Sequence, residues 1–478
     1  MARINTNVSA FIASTNLERS QQSLSTSLER LSTGMKINKG ADDPAGLIAS
    51  ETLRSEISGI TQAIDNSTRA SNVIATAEGA LSEVSSLLLS IKGLVVQAAN
   101  TGGVSADEVQ ANQLQVDSAI ASITRISNST SFAGLKLLDG SLGYLTSGVA
   151  TSALHDVQIQ SAQFGGAATI PVVVNVTTSA QPAELQFKAS AISNSITMEL
   201  AGNQGVQVLS FTSGTKASAI AFAVNRLSDS TGVSASITSA TNASSGISFT
   251  STGFGSRQFV SVTVLGVSNG NFQTQTVGGA TQQRTTGRDA VATINGAQAI
   301  GDGLTLSLDT GALAMTLNLD SQFGLGSKSF TVTGGGAMFQ LGPQVKTNQQ
   351  VSIAIDSVSA SRLGNITDGY LTDLITGGKS SLVGGNAARA SNIIDSAITK
   401  VAQTRGRLGA FEKNTLQTNI NSLQVALENV TSSESSIRDT DFATETSNMT
   451  RNQILVQAGT SVLAQANQLS SNVLNLLK

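Results

Sequence analysis

The sequence predicts an α+β protein: long antiparallel coiled-coil helices formed by both chain ends, with a β-rich outer region inserted between them. Three observations carry that reading. Apolar residues recur at heptad spacing in both ends. Each end is broken about 40 residues from its terminus, so the ends mirror one another and are expected to pack together. Between roughly 150 and 340 the charges thin out and β-branched residues alternate.

At the N-terminal end Ala10, Leu17, Leu24 and Leu31 recur by sevens, with Ser14, Gln21, Leu28 and Met35 four residues after each. That is the spacing of a coiled-coil seam. The break "NKGADDPAG" follows, with Asp43 placed to cap a new helix and Pro44 to open it. This second helix is expected from about Ala45 to Asn100, carrying Val73, Ala77, Ala80, Val84, Leu87, Ile91, Leu94 and Ala98 in four–three alternation. "TGG" (101–103) turns the chain into an antiparallel third helix, about Ser105 to Ser127, with Val109, Val116, Ile120 and Ile123.

The C-terminal end repeats the design in reverse. A long helix from about Asn386 to Glu434 carries Leu416, Ile420, Leu423, Leu427 and Val430. After the break "RDTDFATE", a last helix shows Leu455, Gly459, Val462, Ala466, Leu469, Val473 and Leu476. In the middle, "FVSVTVLG" (259–266) reads as a strand. "LTLSLDTGALAMTLNL" (304–319) reads as a hairpin turning at Thr310–Gly311. Leu304, Leu306 and Leu308 share a face of its first strand; Leu313, Met315, Leu317 and Leu319 share a face of its second.

A chain of 478 residues exceeds one hydrophobic core. The expected division is 1–42 with 444–478, 43–165 with 337–443, and 166–336 as the β-rich insertion. A net charge of −3 leaves no basic excess to neutralise phosphates, which argues against a nucleic-acid partner. Cysteine is absent, which excludes disulfides, thiolate catalysis and zinc–thiolate sites. No run of eighteen apolar residues occurs, so no membrane span is expected, and the first residues lack the pattern of a secretory signal.

The one histidine, His155, rules out a multi-histidine metal site within one chain. "GVSNG" (266–270) matches the nucleophile-elbow pattern, but no helix pattern follows it and the histidine lies upstream; a strand-end turn accounts for it. Asp42 and Asp43 are explained by helix capping with less than a metal would require. No catalytic residue, cofactor or metal is expected.

What the ends lack is more informative. No residue between Arg3 and Glu18, or between Arg451 and Lys478, is charged. A solvated helix normally carries charge opposite its apolar stripe. Here that face holds Gln453, Gln457, Gln465, Gln468, Asn472 and Asn475, which tolerate burial when hydrogen-bonded. Helices of this kind suit an environment made of copies of themselves. The expected self-assembly seam is Ala10, Leu17, Leu24, Leu31, Leu455, Val462, Leu469, Val473 and Leu476. Val84, Leu87, Ile91, Leu416, Ile420, Leu423 and Leu427 are expected to pack the core helices.

At both ends the chain resembles bacterial flagellin. "MARINTNVSAF", "LERLSTGMKINKGADDPAGLIASETLRSEI", "LVVQAAN" and "SFAGLKLLDG" are similar to that family's N-terminal pattern, and "RDTDFATETSNMTRNQILVQAGTSVLAQANQ" with "VLNLLK" to its C-terminal one. "AVATINGAQAIGDGLTLSLD" is similar to a short motif of flagellin insertions, and "FQLGPQVKTNQQVSIAI" (339–355) to the strand pair with which the family's core domain resumes.

The resemblance implies a self-assembling subunit of the extracellular flagellar filament, a homo-polymer of this chain. Its terminal helices would form inner tubes, its longer helices the core around them, and the insertion the surface. It implies export through the flagellar type III apparatus with a secretion chaperone, and contact with the filament cap and hook-junction proteins. The competing class is a hook–filament junction protein, whose terminal helices are of this kind. The resemblance also extends to a core-helix stretch that an animal innate immune receptor detects in many flagellins. Here that stretch is "LLSIKGLVVQAAN" (88–100). Leu94 and Gln97 fit the pattern, Ser90 and Lys92 stand where it has arginines, and Gly93 where it has glutamate, so receptor contact is expected to be weak.

Overall fold

The computed structural model describes residues 6–238, 246–266 and 272–476, with side chains described as far as 468. The chain divides into two compact units, one of residues 1–70, 340–349 and 413–478, the other of 71–339 and 350–412. "GVSNG" falls almost wholly outside the described residues.

In the first unit, helix Val8–Thr33 ends at Gly34, whose φ of 73° is a left-handed conformation that glycine adopts without strain. The next helix opens at Pro44, as expected, and Asp43 Oδ1 accepts the Gly46 N–H at 2.9 Å. Asp42 Oδ2 accepts the N–H groups of Asn38 and Lys39, which holds its carboxyl below the usual range. Asp43 therefore caps the helix entry, and Asp42 ties the turn that leads into it. Arg438 reaches Glu51 at 3.3 Å, and Asn419 Nδ2 donates to Ser67 Oγ and to the Leu341 carbonyl, so the two long helices run antiparallel here.

In the second unit, helix Pro44–Ala99 buries Ile74, Ala77, Leu81, Val84, Leu88, Ile91, Val95 and Ala98. The phase differs by one residue from the expected seam at alternate positions. Val84 and Ile91 are buried as expected, but Leu88 takes the place expected of Leu87, which is half-buried, and Val95 that of Leu94. The error arises because Leu87, Leu88 and Leu89 are identical residues in a row, so composition cannot choose the phase. One window of this helix is apolar enough to pass as a membrane span, with mean hydropathy 1.5. Its buried residues follow three–four spacing, the stripe of a helix packed on a neighbour, and 28% of that window is buried.

Helix Ala106–Ser129 starts with a capping box between Ser105 and Glu108. Helix Ala387–Phe411 runs antiparallel to Pro44–Ala99, fixed by Ser71–Glu412 at 2.6 Å, Glu78–Arg405 at 4.0 Å and the Lys92–Asp395 ion pair. The single helix expected over 386–434 is interrupted: Glu412–Gln417 form a π turn before Thr418–Arg438 resumes. Buried Thr404, Leu408 and Leu416 follow one another in multiples of four rather than a four–three alternation, and the wide turn absorbs the surplus rotation.

Two β-sandwiches, one nested in the other, make up most of the rest of this unit, beside small two-stranded sheets such as Ser131–Phe132 with Leu135–Lys136 and Gly364–Asn365 with Gly369–Tyr370. In the outer sandwich a five-stranded sheet orders Ala297–Gln298, Val291–Ile294, Ile170–Thr178, Gly326–Gly335 and Tyr144–Ser147. It faces a four-stranded sheet of Ile300–Asp302, Thr305–Asp309, Leu313–Leu319 and Leu154–Ala162. The expected hairpin is present, Leu306 opposite Leu317 and Leu308 opposite Met315, all four buried between the sheets. Strands Tyr144–Ser147 and Leu154–Ala162 are full members of this sandwich, so a boundary at 166 and 336 cuts through it.

The nested sandwich spans 182–286. One sheet orders Gln275–Thr276, Pro182–Phe187, Ile247–Phe254 and Val233–Ile237; the other Arg284–Thr286, Phe259–Leu265, Ile196–Gly202 and Gly205–Phe211. Helix Ala217–Asn225 joins Phe249, Leu185, Met198 and Val260 in its core. Segment 196–211 is one hairpin closed at Gly202–Gly205, whereas 292–309 passes from one sheet of the outer sandwich to the other. At the neck, Gln181 and Arg288 exchange backbone hydrogen bonds of 2.8 and 2.9 Å. Asp289 accepts from Ser256 Oγ, Gly303 N and Ser256 N, and these bonds hold its carboxyl below the usual range.

Candidate assembly surface

The first unit's terminal helices, Val8–Thr33 and Phe442–Leu476, pair antiparallel. Four contacts fix their alignment. Asn7 Nδ2 donates to the Ala466 carbonyl at 2.9 Å, Gly459 sits against Leu17, Arg30 Nη1 lies 3.8 Å from Glu445 Oε2, and Met35 bridges to Asp439. A Cβ on Gly459 would lie 3.3 Å from Leu17 Cδ1, so glycine lets the helices approach closely.

Beyond the pair, the two strands of the joint exchange backbone bonds, Lys36 N to Arg438 O at 2.7 Å and Thr440 N to Gly34 O at 2.9 Å. Arg438 Nε also donates to Met35 Sδ at 3.2 Å. Hydrogen bonds from Thr444 Oγ1 and from the Thr444 and Ala443 N–H groups hold the Asp441 carboxyl below its usual range at the start of the last helix.

Ala10, Leu17, Leu24 and Leu31 all lie on the paired face, half-buried. Of the residues four places on, Ser14 and Met35 are half-buried, whereas Gln21 and Leu28 are exposed; buried Ala13 and Ser27 and half-buried Ser20, three places on, complete the face. The closest approach therefore uses small residues, which a search for apolar pairs overlooks; alanine and serine at i+3 were the available signal. On the last helix the inward positions are Glu445, Asn448, Met449, Asn452, Val456, Gly459, Leu463 and Ala466. Leu455 and Val462 are 45% and 56% exposed, one position off that face. Leu469, Val473 and Leu476 fall where side chains lie outside the described residues.

The paired helices thus keep a second, unpartnered apolar surface: Val8, Phe11 and Ile12 on one, Ile454, Leu455 and Val462 on the other. Phe11 is 74% exposed. Among the core positions, Val84, Ile91 and Leu416 are fully buried, and Leu87, Ile420, Leu423 and Leu427 half-buried. In the stretch 88–100, Ser90 and Gln97 are exposed, Leu94 is half-buried, and Lys92 is tied to Asp395. His155 Nε2 pairs with Asp320 at 3.1 Å, and no cluster of three potential metal ligands occurs among the described residues.

Comparison with known proteins agrees with this architecture. Family profiles for the bacterial flagellin N-terminal and C-terminal helical regions match residues 4–142 and 391–477. A flagellin hook IN motif matches 184–253, inside the nested sandwich. The chain is 31% identical over 516 aligned positions to a B-type flagellin of Pseudomonas aeruginosa, covering 99% of both chains. It is 29% identical to a flagellin of Salmonella typhimurium at the same coverage. The solved hook-associated protein 3 of Legionella pneumophila aligns with 81% of this chain and 98% of its own at 12% identity and a TM-score of 0.33, too low to carry an argument. Full-length likeness to flagellins favours the filament subunit over the junction protein. The chain belongs to the bacterial flagellin family, the non-catalytic structural subunits of the extracellular flagellar filament.

Proposed function

We propose that the terminal helix pair is the polymerising element of this flagellin. The paired surface that includes Leu17 and Gly459 closes within the chain, and the surface that includes Phe11, Leu455 and Val462 is covered by further copies. The observation that carries this is the exposed apolar surface on two helices whose outer segments bear no charge. Such a surface is costly in water and stable inside a polymer. The 1–42 with 444–478 part then forms the inner tube, the longer helices the core, and the sandwiches the outside. The same termini meet the cap and hook-junction proteins at the filament's ends, and the export apparatus and secretion chaperone before assembly. Deleting 444–478 is expected to leave a soluble, folded remainder that electron microscopy finds as monomers; long filaments from that protein would overturn the proposal.

The stretch 88–100 makes a poor ligand for the innate immune receptor. Arginine's planar fork makes several directional bonds that serine cannot and lysine only partly replaces. Ser90 offers only a hydroxyl, and Lys92 is already engaged by Asp395. A buried interface arginine is worth about 2 kcal/mol or more. Weak receptor activation by the monomer is expected in a cell reporter assay, with Ser90→Arg recovering part of it. Full potency of the unmodified protein refutes the assignment.

A further inference from the structure

The nested sandwich has four sheet edges, and three of them are closed. At Val233–Ile237 the side-chain amide of Asn225 donates to the Ala235 carbonyl at 2.8 Å and accepts the Ala235 N–H at 2.7 Å. At Gln275–Thr276 the chain folds back on itself, and the Thr276 N–H donates to the Ala280 carbonyl at 2.8 Å. Arg284–Thr286 is three residues long and carries a cation, Arg284, which lies over the Phe259 ring. Closures of this kind keep a sheet edge from pairing with another chain.

The fourth edge, Gly205–Phe211, has none of them. Its seven residues, GVQVLSF, include no charge and no proline, and its pairing with Ile196–Gly202 is unbroken. The two-residue turn Asn203–Gln204 makes Gly202 and Gly205 a hydrogen-bonded pair, and such pairs alternate along an antiparallel ladder. Gln207, Leu209 and Phe211 therefore bond within the sheet. Val206, Val208 and Ser210 turn their N–H and C=O groups outward, and no hydrogen bond among the described residues reaches these six groups. Thr197 Oγ1 and Ser210 Oγ, 3.0 Å apart, show the close side-chain approach of a pair that exchanges no backbone bond. Val206 and Val208 are 54% and 55% exposed.

The spacing of the outward groups fits a second copy of the same strand. Turned about a two-fold axis at Val208, that copy sets Val208 against Val208 and Val206 against Ser210 on either side. Every outward N–H then meets an outward C=O. Neither strand brings a charge. Glu199, beside Val208 on the next strand in, stands three strand spacings from its counterpart, about 14 Å, beyond the ~8 Å screening length at physiological salt. We propose that the Gly205–Phe211 edge is a self-pairing surface, joining the four-stranded sheets of two copies of this chain into one continuous sheet. Seven residues a side fall short of the roughly 20–30 of a stable interface, so pairs of monomers are short-lived. A filament repeats the edge at every subunit, and multivalency turns weak pairing into side-by-side association of filaments. That last step rests on the sandwiches lying on the filament's outside.

The absence of cysteine makes the test direct. Val206→Cys and Ser210→Cys subunits are assembled into separate filaments, which are then mixed and mildly oxidised. In the two-fold pairing, position 206 of one copy faces position 210 of the other with Cα atoms about 5.5 Å apart, within disulfide reach. Identical positions lie about 14 Å apart and cannot be bridged. Reducible dimers are expected from the mixture and from neither population alone. Val208→Pro removes an outward N–H and no bond to Ile196–Gly202. Added to both cysteine variants, it is expected to abolish the dimers and the side-by-side filaments seen by electron microscopy, with thermal unfolding unchanged. Val208→Lys replaces it if the proline variant misfolds. Equal dimer from either population alone, no dimer from mixed filaments or mixed monomers, or undiminished dimer in the folded Val208 variants overturns the proposal. Dimers from mixed monomers but not from mixed filaments support the pairing and fault instead the placement of the sandwiches on the outside.

Discussion

Val462→Asp is expected to abolish polymerisation while leaving the subunit folded. Val462 is 56% exposed in the single chain, so a carboxylate there stays hydrated and the intramolecular seam through Val456, Gly459 and Leu463 is untouched. In a filament whose copies cover this face, the same carboxylate is desolvated with no partner, because the segment 452–477 offers no charge to meet it. An unpaired buried charge costs several kcal/mol, and about 3 kcal/mol already lowers an association constant more than a hundredfold. The penalty recurs at every subunit. Sedimentation of polymer, with circular dichroism of the monomer, separates assembly from folding. Leu463→Asp is the comparison: it strikes the half-buried intramolecular face and is expected to loosen the terminal helices of the monomer as well. Filaments of Val462→Asp forming at the normal protein concentration would show that this face stays wet.

The helical ends were legible because their signals are local and repeated. Asp43–Pro44, the heptads and "TGG" each act within a few residues, and the helices start and stop close to where these signals stand. Phase was legible only where the sequence breaks its own symmetry. The run Leu87–Leu88–Leu89 offers three equal choices, and only the packed neighbours select Leu88. The terminal seam was half legible: leucines mark one position of each heptad, but Ala13, Ser20 and Ser27 complete it, and small residues look the same in a seam as on a surface. The π turn had no signal of its own; it answers the distance between Leu408 and Leu416. Strands Tyr144–Ser147 and Leu154–Ala162 were read with the helices because they lie close in sequence to Ser129. Their partners, more than 150 residues away, place them in the outer sandwich.

That last point decides how the insertion can be removed. Replacement of 182–287 by a two-residue Asn-Gly turn between Gln181 and Arg288 is expected to leave a folded, polymerising protein. Those two residues already face each other across an antiparallel bridge, so closing the gap demands little backbone movement. The nested sandwich takes its own core with it, including Leu185, Met198, Phe249 and Val260. Asp289 loses Ser256 but keeps the Gly303 N–H at 2.8 Å. Excision of 166–336 is expected to behave differently. It removes Ile170–Thr178, Leu313–Leu319 and Gly326–Gly335, the partners of Tyr144–Ser147 and Leu154–Ala162. The remaining strands would expose unpaired backbone edges together with Leu154, Ile159 and Ala162, all buried in the intact chain. Each large apolar side chain uncovered costs about 1.5–3 kcal/mol, and such edges promote aggregation. Soluble yield, thermal unfolding and electron microscopy of the two products test the contrast. Equal behaviour of both would mean that the outer sandwich does not depend on the pairing of its first two strands. Loss of filaments from a well-folded 182–287 excision would mean that the nested sandwich makes contacts between copies that assembly requires.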